Sequence, residues 1–454
     1  MLRTADRTIA DNVARRFPGP PTRPNEPIGA GAPHLKMRMS QRDGDPRGAN
    51  DEPLMTKGVE DPSPPRDGAV ALGRVMYVSS SGDTLGGAEN ALFDIVTSVA
   101  EGEWEPIVVV PFEGELASSL RRAGVECHVV GLGVLRHRSE LRSPILLVRL
   151  LGALLGAGRV AMLIRKRDVR LVHSNTSTVI SGALAARVSR VPHVWHVREM
   201  LGGPAWSILG RLILRLSTRV VCISETVAAN MPLNDRRDRI VVIPDGINVA
   251  TFSKKSPGPS TGRVLMIARI HPHKGHELFV RAAALVAAEI ANATFEVIGG
   301  CLPVYEPLQQ RLKSLAEQLG LREKLRFTPH VPREEIAERI RSADVVVVPS
   351  TWLEPGGLVV LEAMAVGTCV VATRRGGPAE VITDGRDGLL VSHVDPSELA
   401  NAVTRLLLDE ELRSTLARNA LSRVHGNYTL ALHLARLGDT YRAALSESRG
   451  AGCA

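Results

Sequence analysis

A chain of 454 residues, 44% of them hydrophobic and 23% charged, is long enough for two or three folded domains. Its net charge is +8, yet only 3% of its residues are aromatic, too few for the stacking platforms that hold nucleic-acid bases. Its five cysteines are scattered without CxxC spacing, which argues against a zinc site or a disulfide framework and is typical of a reducing compartment. We therefore predict a cytoplasmic protein of several domains that does not bind nucleic acid.

The beginning of the chain differs in composition from the rest. Residues 1–72 are rich in Pro, Gly, Arg and Asp and have no long aliphatic run, so they cannot bury enough apolar surface to offset the entropy of ordering. They lack the apolar core of a secretory signal, and the nearest candidate for a membrane span, residues 145–164, is interrupted by Arg149 and Arg159. We expect a disordered tail, or a stretch ahead of the true start, on a protein that is neither exported nor membrane-spanning.

Short apolar strands alternate with helical patterns over residues 73–248, which predicts a parallel sheet covered on both faces in a Rossmann-like domain. The predicted strands are residues 74–78, 107–110, 127–130, 171–173, 193–196 and 220–223. A loop with Gly86 and Gly87 follows the first strand and leads into an amphipathic helix. Such a loop is a common phosphate site, because free backbone N–H groups point out of the helix start.

His196 stands at the end of a predicted strand. Ligands of open α/β sheets bind beyond the carboxyl ends of the strands, so this imidazole is placed to meet one. A lone histidine is more often a structural residue with satisfied hydrogen bonds. The residues alone leave both interpretations open.

Residues 131–170 carry many arginines among leucines. A basic amphipathic helix can lie on an anionic membrane, which here predicts peripheral contact with the inner face of the plasma membrane. The alternative is the solvated outer face of an ordinary Rossmann helix. Both interpretations stay open at this point.

A Ser/Pro/Gly-rich stretch predicts a linker at residues 249–262, and a second series of strands and helices predicts another Rossmann-like domain over residues 263–425. The strand at 264–267 is followed by Arg269 and Lys274, which flank a strand-to-helix turn. Because both side chains extend from one turn, the two cations can converge on one diphosphate.

The apolar strand at 345–348 leads into a turn with Gly356 and Gly357 that opens a helix, whose apolar residues predict one buried face. The glycines permit close backbone approach, and the helix start attracts an anion. Glu354 precedes the turn and Glu362 lies inside the helix. Two carboxylates so placed suit a ligand with a phosphate in its middle and hydroxyls at both ends, and a nucleotide sugar is such a ligand.

The string from Glu354 to Ala363, E-P-G-G-L-V-V-L-E-A, resembles the Glu-x7-Glu signature of the retaining GT-B glycosyltransferases of family 4, the group 1 transferases, whose common form is E-P-F-G-L-V-x-L-E-A. Gly356 stands where that family usually has Phe, which predicts a looser turn and a less closely shaped contact with the donor sugar. The loop at Gly86 is similar to the family's G-G-x-E, and the string at Arg269 to its G-R-L-x-x-x-K-G. The resemblance covers about residues 73–446.

The resemblance implies the GT-B architecture, in which two Rossmann-like domains face across a cleft and a last helix, here within residues 426–454, crosses back toward the first domain. It implies transfer of a hexosyl-type sugar from a UDP or GDP sugar to a hydroxyl of a sugar or lipid-linked acceptor. Retention at the anomeric carbon, no metal or other cofactor, and a role in cell-surface polysaccharide or glycolipid assembly are part of the same expectation.

Residue roles follow from the same resemblance. His196 is expected to face the donor sugar, Glu354 to bind the hydroxyls of that sugar, and Glu362 to bind the ribose hydroxyls. The expected catalytic residues are His196, Arg269, Lys274 and Glu354. The other expected donor-binding positions are Gly86, Gly87, Gly356, Gly357, Leu358, Val359 and Glu362.

Three alternatives share this fold. A nucleotide-sugar epimerase would act without an acceptor, and a glycan phosphorylase would need a pyridoxal-binding lysine motif, which we do not find in the sequence. A non-catalytic partner subunit would keep the fold without the chemistry. Intact Arg269, Lys274, Glu354 and Glu362 argue against that loss, whereas Gly356 in place of Phe argues for it.

Overall fold

The computed structural model describes residues 73–83, 86–99, 102–134, 145–200, 204–232, 237–253 and 260–450. The predicted tail at residues 1–72 lies outside the described residues. So do residues 135–144 of the basic stretch and residues 254–259 of the predicted linker.

The first half of the described chain forms a seven-stranded parallel sheet with the order β3-β2-β1-β4-β5-β6-β7. Its strands are β1 (Gly73–Val78), β2 (Trp104–Val110), β3 (Glu126–Val129), β4 (Val169–Ser174), β5 (His193–Val197), β6 (Arg219–Cys222) and β7 (Ile240–Val242). The predicted strands are therefore found. The order reverses beside β1, which places the carboxyl ends of β1 and β4 at the switch point where such sheets bind ligands.

Helices cover both faces of this sheet, as the apolar strand runs predict. They are α1 (Gly87–Val99), α2 (Glu115–Arg122), α3 (Ile145–Lys166), α4 (Ile180–Ser189), α5 (Pro204–Leu216) and α6 (Glu225–Ala229). Helices α1 and α2 pack on one face around Tyr77, whereas α3 and α4 pack on the opposite face around Met76. Adjacent strand residues thus feed separate cores, because side chains alternate across a sheet.

The second half forms a six-stranded parallel sheet with the order β10-β9-β8-β11-β12-β13. Its strands are β8 (Arg263–Ile267), β9 (Thr294–Ile298), β10 (Leu325–Thr328), β11 (Val345–Val348), β12 (Cys369–Thr373) and β13 (Leu389–Val391). The accompanying helices are α7 (His276–Glu289), α8 (Glu306–Gln318), α9 (Arg333–Ser342), α10 (Leu358–Val366), α11 (Gly377–Val381), α12 (Pro396–Leu408) and α13 (Glu410–Asn427). The described chain is thus two Rossmann-like α/β units.

The last helix, α14 (Leu430–Gly450), packs on the first sheet although it follows the second one in the chain. Leu437 and Tyr441 are buried in the core around Tyr77, and the Tyr441 hydroxyl donates to that of Tyr77 over 3.2 Å. The helix therefore ties the end of the chain to the N-terminal unit.

Helix α10 departs from the sequence prediction of one buried face. Its residues from Val360 to Val366 are all buried, Glu362 among them. The reason is that α9 and α13 both pack against α10, so that little of its surface meets solvent. The helix that carries the second carboxylate is thus held from several sides.

Helix α3 is the one helix in the described part of the chain whose length and composition would allow it to cross a membrane. The span is Leu147–Lys166, and a third of its apolar window is buried inside the fold. The sequence indicates nearly the same stretch, residues 145–164, and Arg149 and Arg159 divide its apolar run without removing its high mean hydropathy.

Candidate functional site

A cavity of about 710 Å³ lies between the two Rossmann-like units and is lined by residues of both. This volume falls in the range of ligand pockets of about 300–1,000 Å³. The predicted site residues that line it are Gly86, Gly87, Arg269, Lys274, Glu354, Gly356, Gly357, Leu358, Val359 and Glu362. The structure therefore brings together all predicted site residues except His196.

Lys274 and Glu354 are in direct contact at the cavity wall. The Lys274 ammonium donates to both oxygens of the Glu354 carboxylate, over 2.7 and 2.8 Å, and the Ser350 hydroxyl donates to the same carboxylate over 2.8 Å. Ser350 is not among the site residues predicted from the sequence. A bound ligand would therefore meet a carboxylate whose orientation is already fixed.

Gly275 holds the two turns of the site close together. Its φ of +75° is in the left-handed region, and a Cβ there would lie 1.7 Å from the carbonyl oxygen of Pro349. Only glycine meets both requirements. The turn that carries Lys274 can therefore lie directly against the end of strand β11, which leads to Glu354.

Arg269 lines the cavity and makes no hydrogen bond or ion pair within the described residues. Helix α10 begins at Leu358, directly after Gly357, and its start also lines the cavity. From the N-terminal unit, Gly87 faces this start, since a Cβ added to this glycine would lie 3.4 Å from the Leu358 Cδ2 atom. The Arg269 guanidinium, which also interacts electrostatically with the Glu89 carboxyl, and a helix N-terminus thus face one space, an arrangement that favours a bound anion.

Glu362 lies at another part of the cavity wall and is only 5% exposed. Burial raises the pKa of its carboxyl to about 7, although the nearby Arg333 guanidinium opposes this effect and Asp94 adds to it. The carboxyl has no hydrogen-bond partner within the described residues. Its protonation is therefore sensitive to what binds in the cavity.

Asp94 and Arg333 join the two units beside Glu362, and the sequence analysis missed both. Arg333 Nη1 lies 2.5 Å from Asp94 Oδ1, and the guanidinium also lies over the Phe252 ring at 5.3 Å. Asp94 Oδ2 and the Arg333 Nε and Nη2 atoms are buried without a partner among the described residues. No sequence signal pairs them, since they lie on helices of different units.

His196 is fully buried and is not among the residues that line the cavity. Its ring stacks on His433 of α14 at 6.1 Å and contacts His173 edge-on at 5.3 Å. Arg198 Nη1 lies 3.4 Å from His196 Nε2, and Arg198 also pairs with the buried Asp245. Burial, followed by the positive charge of Arg198, holds the pKa of His196 well below its usual value, so the ring is neutral at physiological pH.

A second set of contacts joins the units beside the turn that carries Glu354. The Glu380 carboxylate accepts hydrogen bonds from the backbone N–H groups of Glu225 and Thr226, each over 2.8 Å. The Ser224 hydroxyl donates to the carbonyl oxygen of Pro355 over 2.6 Å. The start of helix α6 in the N-terminal unit is therefore bonded to helix α11 and to the turn after Glu354 in the C-terminal unit.

Gly356 lies at the centre of these contacts. A Cβ at this position would lie 2.9 Å from the Ile223 Cδ1 atom, so a larger side chain would have to displace Ile223. The replacement of Phe by glycine predicts a looser turn at this position. In the structure the glycine allows close contact between the two units.

No group of three or more His, Cys, Asp or Glu side chains suited to a metal ion occurs in the described ranges. The positive charges that line the cavity, Arg122, Arg269, Lys274 and Arg333, come from protein side chains. Among them, Arg269 and Lys274 follow strand β8 of the C-terminal unit.

Sequence comparison agrees with this arrangement. The family described as "Glycosyl transferases group 1" matches residues 250–423, and the one described as "Glycosyltransferase Family 4" matches residues 85–251. Together the two matches cover both Rossmann-like units and the cavity between them. The chain belongs to glycosyltransferase family 4.

Among its curated relatives, this family 4 protein is similar to a D-inositol 3-phosphate glycosyltransferase of Acidothermus cellulolyticus, with 37% identity over 230 residues. The alignment covers 47% of this chain and 50% of the relative. A protein of the same description from Frankia alni is 38% identical over 204 residues, 42% of this chain and 49% of the relative. The chain therefore spans about half the length of the curated relatives it matches.

Solved structures confirm the predicted GT-B fold. Anabaena HepE, in complex with UDP and glucose, has a TM-score of 0.68 and 22% identity, covering 81% of this chain and 99% of that one. Sucrose-phosphate synthase of Thermosynechococcus elongatus has a TM-score of 0.68 and 21% identity, covering 83% of this chain and 100% of that one. At these identities the likeness concerns the fold alone.

Proposed function

We propose that this protein transfers a hexosyl-type sugar from a nucleotide diphosphate donor to an acceptor hydroxyl. The observation that carries this proposal is that one cavity is lined by Arg269, Lys274, Glu354 and Glu362 and by the start of helix α10. A nucleotide sugar has one diphosphate between two hydroxyl-bearing rings, so it matches a site with cations in the middle and carboxylates on either side.

Negative charge grows on the diphosphate as its bond to the sugar breaks. Arg269 and the N–H groups at the start of α10 are available to stabilise it, and Lys274 reaches it by exchanging one contact with Glu354. Donors that are already oriented stabilise such charge with little reorganisation. Glu354, released in part from Lys274, then accepts hydrogen bonds from the donor sugar, and Glu362 accepts them from the ribose.

We propose retention at the anomeric carbon. The acceptor oxygen bonds to that carbon on the face that the diphosphate leaves, and the acceptor proton passes to a leaving phosphate oxygen. His196 is fully buried and does not line the cavity, so we assign it a role in supporting the sugar site rather than in proton transfer. With two protein cations at the diphosphate, we propose that no divalent metal is required.

We propose a UDP or GDP sugar as the donor, and similar proteins favour UDP and a polyhydroxylated acceptor. HepE was solved with UDP and glucose, and the curated relatives act on D-inositol 3-phosphate by name. We propose a sugar or lipid-linked acceptor in cell-surface polysaccharide or glycolipid assembly. The inositol phosphate of the relatives is a second acceptor to include in any assay.

A thermal-shift panel tests donor binding directly. We expect one of UDP, GDP and ADP, with its sugar conjugate, to raise the melting temperature equally with and without EDTA, and to have no effect on Lys274→Ala. Lys313→Ala, which changes a lysine that does not line the cavity, is the matched control. If no nucleotide shifts the melting temperature of the wild type, the proposed donor site is wrong.

A turnover assay then separates the transferase from its alternatives. Sugar transfer only in the presence of an acceptor, with the anomeric configuration kept in the product, supports a retaining transferase. Conversion of the donor sugar without acceptor identifies an epimerase. Donor binding without any turnover identifies a non-catalytic partner subunit.

We also propose peripheral contact with an anionic membrane through helix α3. Leu147, Val148, Leu151 and Leu154 are each more than half exposed on this helix. Helix α3 has no acidic residue and four basic ones, so it would attract anionic lipid and repel a second copy of itself.

Vesicle flotation tests this contact. We expect the protein to float with anionic vesicles and not with neutral ones, and the double variant Leu151→Gln/Leu154→Gln to lose binding. Leu408→Gln, which changes an exposed leucine on α12, is the matched control. Equal binding to both kinds of vesicle would contradict the electrostatic part of the proposal.

A further inference from the structure

Four aromatic rings form a continuous strip on the surface of the C-terminal unit. Trp352 lies over His273 with ring centroids 4.9 Å apart and planes tilted by 31°. His273 is 5.0 Å from His271, which meets Tyr305 edge-on at 4.8 Å. We call these four residues the aromatic ridge.

Three loops at the carboxyl ends of neighbouring strands build the aromatic ridge. Its histidines follow β8, Tyr305 follows β9 and Trp352 follows β11. The Thr351 N–H donates to the carbonyl oxygen of His273 over 3.0 Å, and a backbone bridge joins Ile270 to Cys301. Backbone contacts thus hold together the loops that carry the four rings, so the ridge depends on the backbone as well as on side-chain conformation.

The ridge is open to solvent. Trp352 is 48% exposed, whereas the other three tryptophans of the chain are between 0% and 6% exposed. Leu302 and Val304, beside Tyr305, are exposed as well. Large apolar groups gathered on a surface commonly mark a place where a ligand or partner binds.

The ridge also borders the proposed reaction site. His273 precedes Lys274 directly, and Trp352 lies two residues before Glu354. Lys274 and Glu354 line the cavity, whereas none of the four ridge residues does. A molecule lying on the ridge could therefore continue past these turns toward the cavity, while the donor occupies the interior.

We propose that the aromatic ridge binds successive pyranose rings of an oligosaccharide or polysaccharide acceptor. The C–H face of a pyranose packs on an aromatic ring, while its hydroxyls bond to polar ring edges such as those of His271 and Tyr305. Burial, followed by the charges of His273 and Lys274, lowers the pKa of His271 to about 4, so its ring is uncharged near neutral pH. This inference rests on the proposed sugar transfer and specifies the acceptor as a glycan chain.

A bilayer and a nucleobase fit the ridge less well. The long apolar stripe suited to lipid is on helix α3 of the N-terminal unit, whereas the ridge mixes rings with imidazole and phenol groups. The nucleotide is assigned to the cavity interior beside Glu362. A glycan uses both the apolar faces and the polar edges of the rings.

The fluorescence of Trp352 reports on binding at the ridge, because this residue alone among the four tryptophans is exposed. We would measure acrylamide quenching of tryptophan fluorescence with hexaoses of glucose, mannose, galactose and N-acetylglucosamine. At least one hexaose is expected to protect the exposed fluorophore, and its monosaccharide to protect it far less. Trp352→Phe should lack the quenchable component in every sample, which assigns the signal.

Binding measured by calorimetry on the same hexaose separates stacking from structure. Trp352→Ala should weaken binding of the hexaose about tenfold, the size of effect that loss of one stacking ring produces, whereas Trp352→Phe should retain most of the affinity.

Nucleotide-induced thermal shifts should be equal in the wild type and in both Trp352 variants. If no hexaose protects Trp352, or if Trp352→Ala binds the hexaose like wild type, the ridge proposal is overturned. If the ridge proposal fails but nucleotides still raise the melting temperature of the wild type, the proposed sugar transfer stands. If nucleotides do not raise the melting temperature of the wild type, the proposed function is overturned instead.

Discussion

Asp94 on helix α1 and Arg333 on helix α9 form an ion pair across the cavity wall, with 2.5 Å between Oδ1 and Nη1. Both side chains are more than four-fifths buried, and three of their polar atoms have no partner among the described residues. The pair is therefore a bond between the two units that also leaves hydrogen-bonding capacity beside Glu362.

Removing one member of this pair is expected to cost more than removing both. Asp94→Asn leaves a buried guanidinium without its counter-ion, for which we expect a loss of about 3 kcal/mol in the free energy of unfolding. The double variant Asp94→Asn/Arg333→Met should recover much of that loss, because no unpaired charge remains. Urea denaturation followed by circular dichroism measures both.

An exposed ion pair serves as the control for this comparison. Glu103 and Arg442 also join distant segments, at 2.6 Å, but both side chains are about half exposed. Because exposed pairs contribute at most about 1 kcal/mol, Glu103→Gln should change stability little. A double variant at Asp94 and Arg333 that is as unstable as the sum of its single variants would contradict the expectation.

Glu362 is expected to make stability depend on pH. Burial raises the pKa of its carboxyl from 4.5 to about 7, so the folded protein retains a proton that the unfolded chain releases. The contribution of this group to stability is therefore complete below the unfolded pKa, falls as the pH rises toward about 7, and stays low above it. Glu362→Gln should match wild type near pH 4 and melt at a higher temperature near pH 8, as measured by calorimetry.

The same carboxyl should make donor binding depend on pH in the opposite sense. Ribose hydroxyls bond best to the ionised form, so the affinity for an intact nucleotide sugar should fall as the pH is lowered through about 7. The diphosphate of a nucleotide sugar does not itself titrate in this range, which leaves the protein as the source of the change. An equally steep pH dependence in Glu362→Gln would assign it to another group.

Lys274 and Glu354 should separate binding of the nucleotide from recognition of the sugar. Lys274→Ala removes a cation from the diphosphate and is expected to abolish stabilisation by nucleoside diphosphate and nucleotide sugar alike. Glu354→Gln keeps Lys274 and should still bind the nucleoside diphosphate, but kcat should fall about 10²–10³-fold because contacts to the reacting sugar are lost. Isothermal titration and steady-state kinetics measure the two effects. Equal loss of nucleotide binding in both variants would contradict this division.

Most of the fold followed from the sequence, because apolar strand runs and glycine-rich turns are local signals. The Glu354 turn, the Lys274 turn and the Gly86 loop were recognised as strings, and the structure places all three at one cavity. Side-chain contacts between the two Rossmann-like units have no local signal of this kind in the sequence. Arg333 is an ordinary basic residue at a helix start until the fold brings Asp94 to within 2.5 Å of it.

His196 illustrates a second limit. A histidine at a strand end predicts a position at the ligand edge. The resemblance implies that the last helix returns to the first domain, but the sequence does not reveal that this helix places His433 over the His196 ring. The amphipathic pattern of helix α10 failed for the same reason, since a helix enclosed by two others has no solvent face to mark. Local sequence patterns do not encode the burial of a residue when segments distant in the chain cover it.

Gly356 provides a test of why this chain departs from the usual family string. The structure places this glycine against Ile223 of the N-terminal unit, where an added Cβ would lie 2.9 Å from the Ile223 Cδ1 atom. Gly356→Phe, which restores the usual residue, should therefore lower the melting temperature and reduce activity, because the ring separates contacts that join the units. Gly356→Ala should lower the melting temperature little, since the end of the isoleucine side chain can shift.

The double variant Gly356→Phe/Ile223→Ala makes room for the ring and should recover most of the loss in melting temperature. If Gly356→Phe alone is as stable as wild type and more active, the glycine is a defect in the donor site and not a close contact between the two units.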